Sequence, residues 1–299
     1  MDFQPLTLEN LEAVYELYKK NELFYSIPFQ SFQWGTIEDE DFDPNLTLVL
    51  KDSNTNQIIA SLIAVNRAGN CCIKAFIIDN LFRRQGIGQK MLNEIIVRIK
   101  NMDEKITSMN FGASPPNYWL TGVDLRHTDL FFFLKKNGFR PKELRQNLTV
   151  DLRNMDLKPC SEKKEYLFER VQSKDFEGTI NFVKENYGHG SWPDEVKISL
   201  KSIPPSTFIA KNKKGEIVGW ATHSFQFPGA FGPTGVLVSL QGQGIGTELL
   251  KWCLWDIKQK GIDISMIIWV VGDTIKFYSK SIGAYIYPLY YDMVKKIRK

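Results

Sequence analysis

Histidine and cysteine are scarce in this 299-residue chain, with three of the first and four of the second. His127, His189 and His223 are scattered, and Cys71, Cys72, Cys160 and Cys253 form no CxxC pair. The ligand spacing of a zinc site is therefore missing, and no metal is expected. The thiols lie largely in apolar segments, which suits reduced cysteines packed as small hydrophobes and a cytoplasmic setting. Long apolar runs are missing too, since none approaches the roughly 18 residues of a membrane span. The opening MDFQPLTLENLEAVYELYKK carries acids where a secretion signal would be unbroken apolar sequence. Charge of one sign is not in excess. The 38 lysines and arginines against 34 acids leave a net +4, dispersed along the chain, so neither nucleic acid nor membrane is expected as a partner.

What is present is the composition of a globular chain, 43% hydrophobic and 24% charged, enough for a sizeable core. Thr7 is placed to cap a first helix whose apolar face is Leu11, Val14, Tyr15 and Tyr18. An aromatic-rich irregular stretch follows. LTLVLKDSNTNQIIASLIAVNRAG predicts a hairpin turning around 52–56, CCIKAFII a strand, and residues 89–100 a helix. ITSMNFG reads as a strand, TDLFFFLKKNGF as a short helix ended by Gly138, and RQNLTVDL as a late strand. The polar RNMDLKPCSEKKE, with its proline, predicts a linker. The same order then begins again: helix, hairpin, strand, glycine turn, helix, strand, short helix, strand. The expected domains are 1–153 and 166–299, joined by a linker over 154–165.

RRQGIGQK at 83–90 and QGQGIGTE at 241–248 show the repeat most sharply. A shift of 158 residues places Gly86 on Gly244, Gly88 on Gly246, Met91-Leu92 on Leu249-Leu250 and Ile95-Ile96 on Cys253-Leu254. Turn, helix face and element order agree in one alignment, so the chain reads as an internal duplication of an α/β unit.

A strand, glycine turn and helix in succession expose main-chain N–H groups together with the unpaired donors of the helix's first turn. With the helix dipole these form an anion site suited to a pyrophosphate. Glycine permits close approach of the ligand and frees the dihedrals. A nucleoside-triphosphate loop is excluded, because Gly88 is followed by Gln89 and Gly246 by Thr247, with no lysine. A dinucleotide fingerprint fails as well, since its last glycine would fall on Thr247 or Leu249. The pattern present is Arg83-x-x-Gly86-x-Gly88 in one half and Gln241-x-x-Gly244-x-Gly246 in the other, each after a strand. Repeated twice in this element order, it resembles the pyrophosphate loop of the GCN5-related N-acetyltransferase (GNAT) superfamily. The chain is similar over nearly its whole length to a tandem member.

That resemblance implies an α/β fold of two acyl-CoA N-acyltransferase domains, each a mostly antiparallel mixed sheet flanked by helices. It implies acetyl-CoA as cosubstrate and direct attack of an amine on the thioester. The loop amides of Arg84, Gln85, Gly86, Ile87, Gly88 and Gln89 would hold a CoA pyrophosphate, as would those of Gly242, Gln243, Gly244, Ile245, Gly246 and Thr247, with Arg83 and Gln241 opening the two motifs as further cofactor-binding positions. The strand main chain near Ile78 and Val236 would pair with the pantetheine arm.

In family members a tyrosine of the last short helix serves as the acid for the leaving thiolate. Tyr278 holds that place in the second half, one residue further from Gly283 than the family spacing, and Leu134 holds it in the first. Transfer is therefore expected in 166–299, with the first half degenerate or regulatory. The alternative is a non-catalytic CoA-sensing or structural scaffold. Asp273 and His223 are candidate bases, a chain of waters being the other route, and His189 is a candidate to line the acceptor cleft. Tyr118, Trp119, Asp124 and His127 lie in the long segment ASPPNYWLTGVDLRHTD, where they either rim a pocket or pack between the halves. The acceptor is expected to be an amine of a small molecule or peptide, and the chain a monomer or weak homodimer.

Overall fold

The computed structural model describes residues 2–24, 26–102, 105–188 and 190–297. The first elements are β1 (Phe3–Gln4), α1 (Leu8–Asn21), α2 (Phe29–Gly35), β2 (Phe42–Lys51), β3 (Ile58–Arg67) and β4 (Asn70–Ile78). They are followed by α3 (Ile87–Asn101), β5 (Ser108–Phe111), β6 (Val123–Asp124), α4 (Thr128–Lys136) and β7 (Arg140–Asp151). Next come β8 (Glu162–Lys163), β9 (Tyr166–Arg170), α5 (Phe176–Tyr187), α6 (Trp192–Leu200), β10 (Thr207–Lys211) and β11 (Ile217–His223). The last are β12 (Ala230–Val236), α7 (Ile245–Gln259), β13 (Ile264–Val270), α8 (Thr274–Ile282) and β14 (Tyr285–Lys296). Among the described residues no helix is long and apolar enough to cross a membrane.

Two compact units emerge, where the sequence suggested 1–153, 154–165 and 166–299. The first is 1–145 together with 289–299, and the second is 146–288. The charged segment 154–165 does not divide them. It lies inside the second unit, tied to α7 where Lys163 Nζ meets Glu248 at 2.8 Å and Lys258 Nζ donates to Met155 O at 2.8 Å. Strand pairing moves the boundary. Residues 146–151 of β7 pair antiparallel with β13, while residues 294–296 of β14 pair antiparallel with β5. Each sheet thus takes an edge segment from the opposite half of the sequence, a long-range partnership that local composition does not report.

The sheet of the first unit runs β1-β2-β3-β4-β5 and then the 289–296 part of β14, with β4–β5 its parallel pair. Leu46, Leu48, Leu62 and Ile73 project from its strands onto Met91, Leu92, Ile95 and Ile99 of α3, at the i, i+1, i+4, i+8 spacing of one helix face. Each such side chain contributes about 1.5–3 kcal/mol on burial. The stretch after α1, read from sequence as irregular, contains the seven-residue helix α2. It is too short to show a period, and packing fixes it. A Cβ on Gly35 would come within 2.3 Å of Trp119, whose ring also lies 5.7 Å from Phe32 and 6.3 Å from Tyr18. Trp119 and Tyr118 are accordingly buried, with Trp119 packed against α1 and α2 of its own unit.

The second unit repeats the plan as β7 (146–151)-β13-β12-β11-β10-β9-β8, with β12–β13 its parallel pair. Phe208, Val218 and Phe231 pack on Leu249, Leu250, Cys253, Leu254 and Ile257 of α7. Helices α5 and α6 gather around Trp220, with Phe182 at 5.9 Å, Tyr187 at 4.9 Å and Trp192 at 6.0 Å between ring centres. Cys71, Cys72 and Cys253 are buried as expected, whereas Cys160 is exposed.

Candidate functional site

The two glycine loops have the same backbone, residue for residue. Each strand gives way to a single 3-10 turn, at 80–82 and 238–240, before the loop. Left-handed φ values then fall at Arg84 (+63°) and Gly242 (+79°), and again at Gly86 (+81°) and Gly244 (+87°). Alternating left- and right-handed residues turn successive N–H groups into one concavity, a main-chain nest for an anion. Gly86 and Gly244 are the N-caps of α3 and α7, and neither helix start is closed by a capping side chain. The first-turn donors of both helices therefore have no side-chain cap.

The second glycine of each loop is a packing device. A Cβ on Gly88 would sit 3.1 Å from Ile78 Cδ1 and 3.4 Å from Phe133 Cζ. One on Gly246 would sit 3.5 Å from Phe277 Cζ and 3.7 Å from Val236 Cγ2. Phe133 and Phe277 therefore hold one position in the two units, and so do their neighbours Leu134 and Tyr278.

Behind each loop the two parallel strands separate. In the first unit β4 and β5 pair from Asn70↔Ser108 to Ile73↔Phe111, and in the second β12 and β13 pair only at Ala230↔Met266 and Phe231↔Ile267. Beyond those points the pairing stops, and a β-bulge stands at each such apex. The register steps from Ile63↔Ala75 to Ala64↔Ile73, leaving Lys74 extra, and from Ala221↔Thr234 to His223↔Phe231 around Gly232. The contents of the two apices differ. A Cβ on Gly232 (φ +121°) would meet nothing within 4 Å. Lys74, by contrast, is buried, its ammonium against the fully buried carboxylate of Asp39, which also takes Arg67 at 2.6 Å. Burial pushes the Lys74 amine down to about 8, the Asp39 charge opposing it. The small cavity at this apex is lined by Lys74, Gly112, Ser114, Tyr118, Trp119 and Leu120.

Side chains cover the free strand edges. Arg83 Nε donates to Ile78 O at 3.0 Å and its guanidinium reaches Asp129 at 3.1 Å. Gln85 Nε2 folds back on Leu81 O at 3.1 Å, and Gln89 Nε2 turns to Asn93 Oδ1 at 3.1 Å. In the second unit Tyr187 covers Val236, and Tyr166 donates to Gln243 Oε1 at 2.9 Å. Thr247 Oγ1 lies 3.4 Å from Ser281 Oγ. Sequence reasoning missed Lys163, whose Nζ comes 3.4 Å from where a Gly244 Cβ would stand and pairs with the buried Glu248. It brings a positive charge to the mouth of the second nest from the far end of the supposed linker.

The remaining candidates separate clearly. Tyr278 is 8% exposed, its ring 6.0 Å from that of Phe231, the last β12 residue paired to β13; burial, with Cys253 adding, raises its pKa. His223 is fully buried, with Nε2 3.0 Å from the Asp256 carboxylate and Nδ1 3.0 Å from Ser224 Oγ. Its pKa is lowered by burial despite Asp256. The Asp256 carboxylate also takes Arg170 and Lys260. Asp273 is exposed at the start of α8. His127 is held by Glu22 at 2.9 Å and Asp124 is buried against Arg126, both within the first unit. His189 lies outside the described residues. Glu195 of α6, which the sequence did not single out, is buried with Ser191 Oγ at 2.6 Å, and burial pushes its carboxyl up to about 7. Among the described residues no cluster of three or more histidine, cysteine or acidic side chains could hold a metal.

Residues 173–284, within the second unit, match the acetyltransferase (GNAT) family. No curated protein matches by sequence. Among solved structures, a GCN5-related glucosamine N-acetyltransferase region of a fungal multi-domain β-N-acetylglucosaminidase aligns at 16% identity and a TM-score of 0.75. That alignment covers 98% of this chain but 38% of the fungal one. A GCN5-related N-acetyltransferase from Sphaerobacter thermophilus aligns at 15% identity and a TM-score of 0.71, over 100% and 96% of the two chains. A tandem GNAT protein from the clavulanic acid biosynthesis pathway aligns at 13% and 0.70, over 100% and 99%. At these identities the likeness is one of fold.

Proposed function

We infer that this chain, a member of the GCN5-related N-acetyltransferase superfamily, is an acyl-CoA-dependent N-acyltransferase whose working centre lies in its second unit. The donor in this reading is acetyl-CoA and the acceptor an amine of a small molecule or peptide. The observation that carries the choice of unit is the contrast at the bulge. Space is open beyond Gly232, whereas the same position in the first unit holds a buried, ion-paired lysine.

When bound, a CoA thioester supplies an activated acyl carbonyl and a thiolate leaving group. The residues of this chain supply the rest. Main-chain donors from Gly242 to Thr247 and the start of α7 fit a diphosphate, and Lys163 adds charge beside Gly244. The Val236 edge, left by β13, can orient an amide arm along β12. The neutral amine attacks the carbonyl held at the slot apex, where orientation replaces the entropy of a bimolecular encounter. Tyr278, beside Phe231 at that apex, is placed to pass a proton to the departing sulfur, and its burial keeps the phenol protonated. In the first unit Leu134 stands where Tyr278 does and Lys74 takes the bulged position. That unit is read as a non-transferring partner domain.

Turnover of acyl-CoA donors of increasing chain length against an amine panel, followed by thiol release, tests the assignment. Acetyl transfer to a primary amine is the expected result. Absence of amine-dependent thiol release from every donor would overturn it.

A further inference from the structure

The main chain of Val236 is already engaged. Leu237 N donates to Val218 O across the antiparallel pair at 2.9 Å, so the N–H and C=O of Val236 point away from β11, toward the edge that β13 has left. The hydroxyl of Tyr187 takes both. It donates to Val236 O at 2.5 Å and accepts from Val236 N at 3.1 Å. One hydroxyl acting as donor and acceptor does for these two groups what a secondary amide of a pantetheine arm would do. The ring lies close over the strand, since a Cβ on Gly235 would come 2.6 Å from Tyr187 Cζ and 2.4 Å from Trp220.

Tyr187 is also placed to move. It is the last residue of α5, it is half-buried, and an exposed Gly188 follows it. Its ring sits 5.7 Å from Trp192 at the start of α6 and 4.9 Å from Trp220. The first unit has no such tyrosine on the matching residue, where Ile78 O takes the side chain of Arg83.

We propose that Tyr187 is a placeholder in the donor slot, satisfying the main chain of Val236 until the amide arm of an incoming acyl-CoA takes its place. The proposal rests on the donor site assigned to the second unit. Two buried strand groups left without a partner are costly, so the free protein keeps them paired. Donor entry exchanges one pair of hydrogen bonds for another instead of adding a pair. It also moves the ring off Val236 and disturbs its tilted contact with Trp192, which links donor binding to the helix pair α5–α6.

Calorimetry on the full chain, with CoA and with 3′-phospho-ADP (the diphosphate half without the arm), tests this on wild type and Tyr187→Phe. The variant keeps the ring and loses the hydroxyl. CoA is expected to bind it about tenfold more tightly, as befits removal of one competing hydrogen-bonded contact, while 3′-phospho-ADP binds both proteins alike. Tryptophan emission is expected to change when wild type is saturated with CoA and not with 3′-phospho-ADP. Equal or weaker CoA binding by the variant overturns the placeholder while leaving the donor site standing. Equal tightening of both ligands overturns it too, since the fragment never reaches Val236. Failure of wild type to bind either ligand removes the donor site and the placeholder together.

Discussion

Lys74 and Gly232 hold the same place, the bulged position of the strand that leads into each glycine loop, and they treat the space beyond it in opposite ways. One fills it with a buried cation and the other leaves it open. A duplicated fold has thus kept the same glycine loop twice while the bulge before it carries different residues.

Replacing Lys74 by methionine removes one partner of a buried ion pair and leaves Asp39 with Arg67 alone. The expected cost to the first unit is about 3–5 kcal/mol. Denaturant unfolding reads the loss, and acyl transfer by the folded fraction should be unchanged. A fall in the transfer rate of the folded protein would place Lys74 in the chemistry.

Lys163→Ala deletes the charge beside Gly244. The KM for the acyl donor is expected to rise about tenfold with kcat unaltered, and the difference should shrink in high salt as screening weakens the wild-type charge interaction. Steady-state kinetics at two ionic strengths check it, and an effect confined to kcat would contradict it.

Tyr278→Phe keeps the ring against Phe231 and removes the acid. A fall of about 10²-fold in kcat at constant KM is expected, the usual scale of general acid catalysis. Thermal melts should be unchanged. An undiminished rate would return Tyr278 to the core, alongside its counterpart Leu134.

Glu195 has a folded value of about 7 against about 4.3 when unfolded. The native state therefore favours the protonated carboxyl, and ionising it costs stability progressively as pH rises from about 4.3 to about 7, after which the cost is constant. Glu195→Gln removes that cost and keeps an oxygen for the Ser191 hydroxyl. Melting temperature should rise in the variant at about pH 8 and match wild type near about pH 4, by the same linkage. No gain at the higher pH would show that the carboxyl ionises freely.

The duplication, both loops and the equivalence of Leu134 with Tyr278 were legible because they rest on local causes. Glycines at fixed spacing set the left-handed turns, and a 3.6-residue period sets the faces of α3 and α7. What stayed hidden depends on partners far along the chain. Helices α2 and α6 are short and owe their place to Trp119 and Trp220. The division at 145–146 and 288–289 follows from β7 and β14 pairing with distant strands. Tyr187 reaches Val236 across 49 residues and Lys163 reaches Glu248 across 85. No window of sequence contains either pair.

The central claim is that a diphosphate-bearing acyl donor is gripped by the nest at Gly244 and not by the one at Gly86 for transfer. Calorimetric titration of acetyl-CoA, paired with transfer rates, into Gly244→Glu and Gly86→Glu variants tests it. A carboxylate side chain at Gly244 should abolish both binding at the second unit and transfer, while the same change at Gly86 should leave transfer intact. Transfer that survives Gly244→Glu, or that is lost in a folded Gly86→Glu protein, would contradict the account.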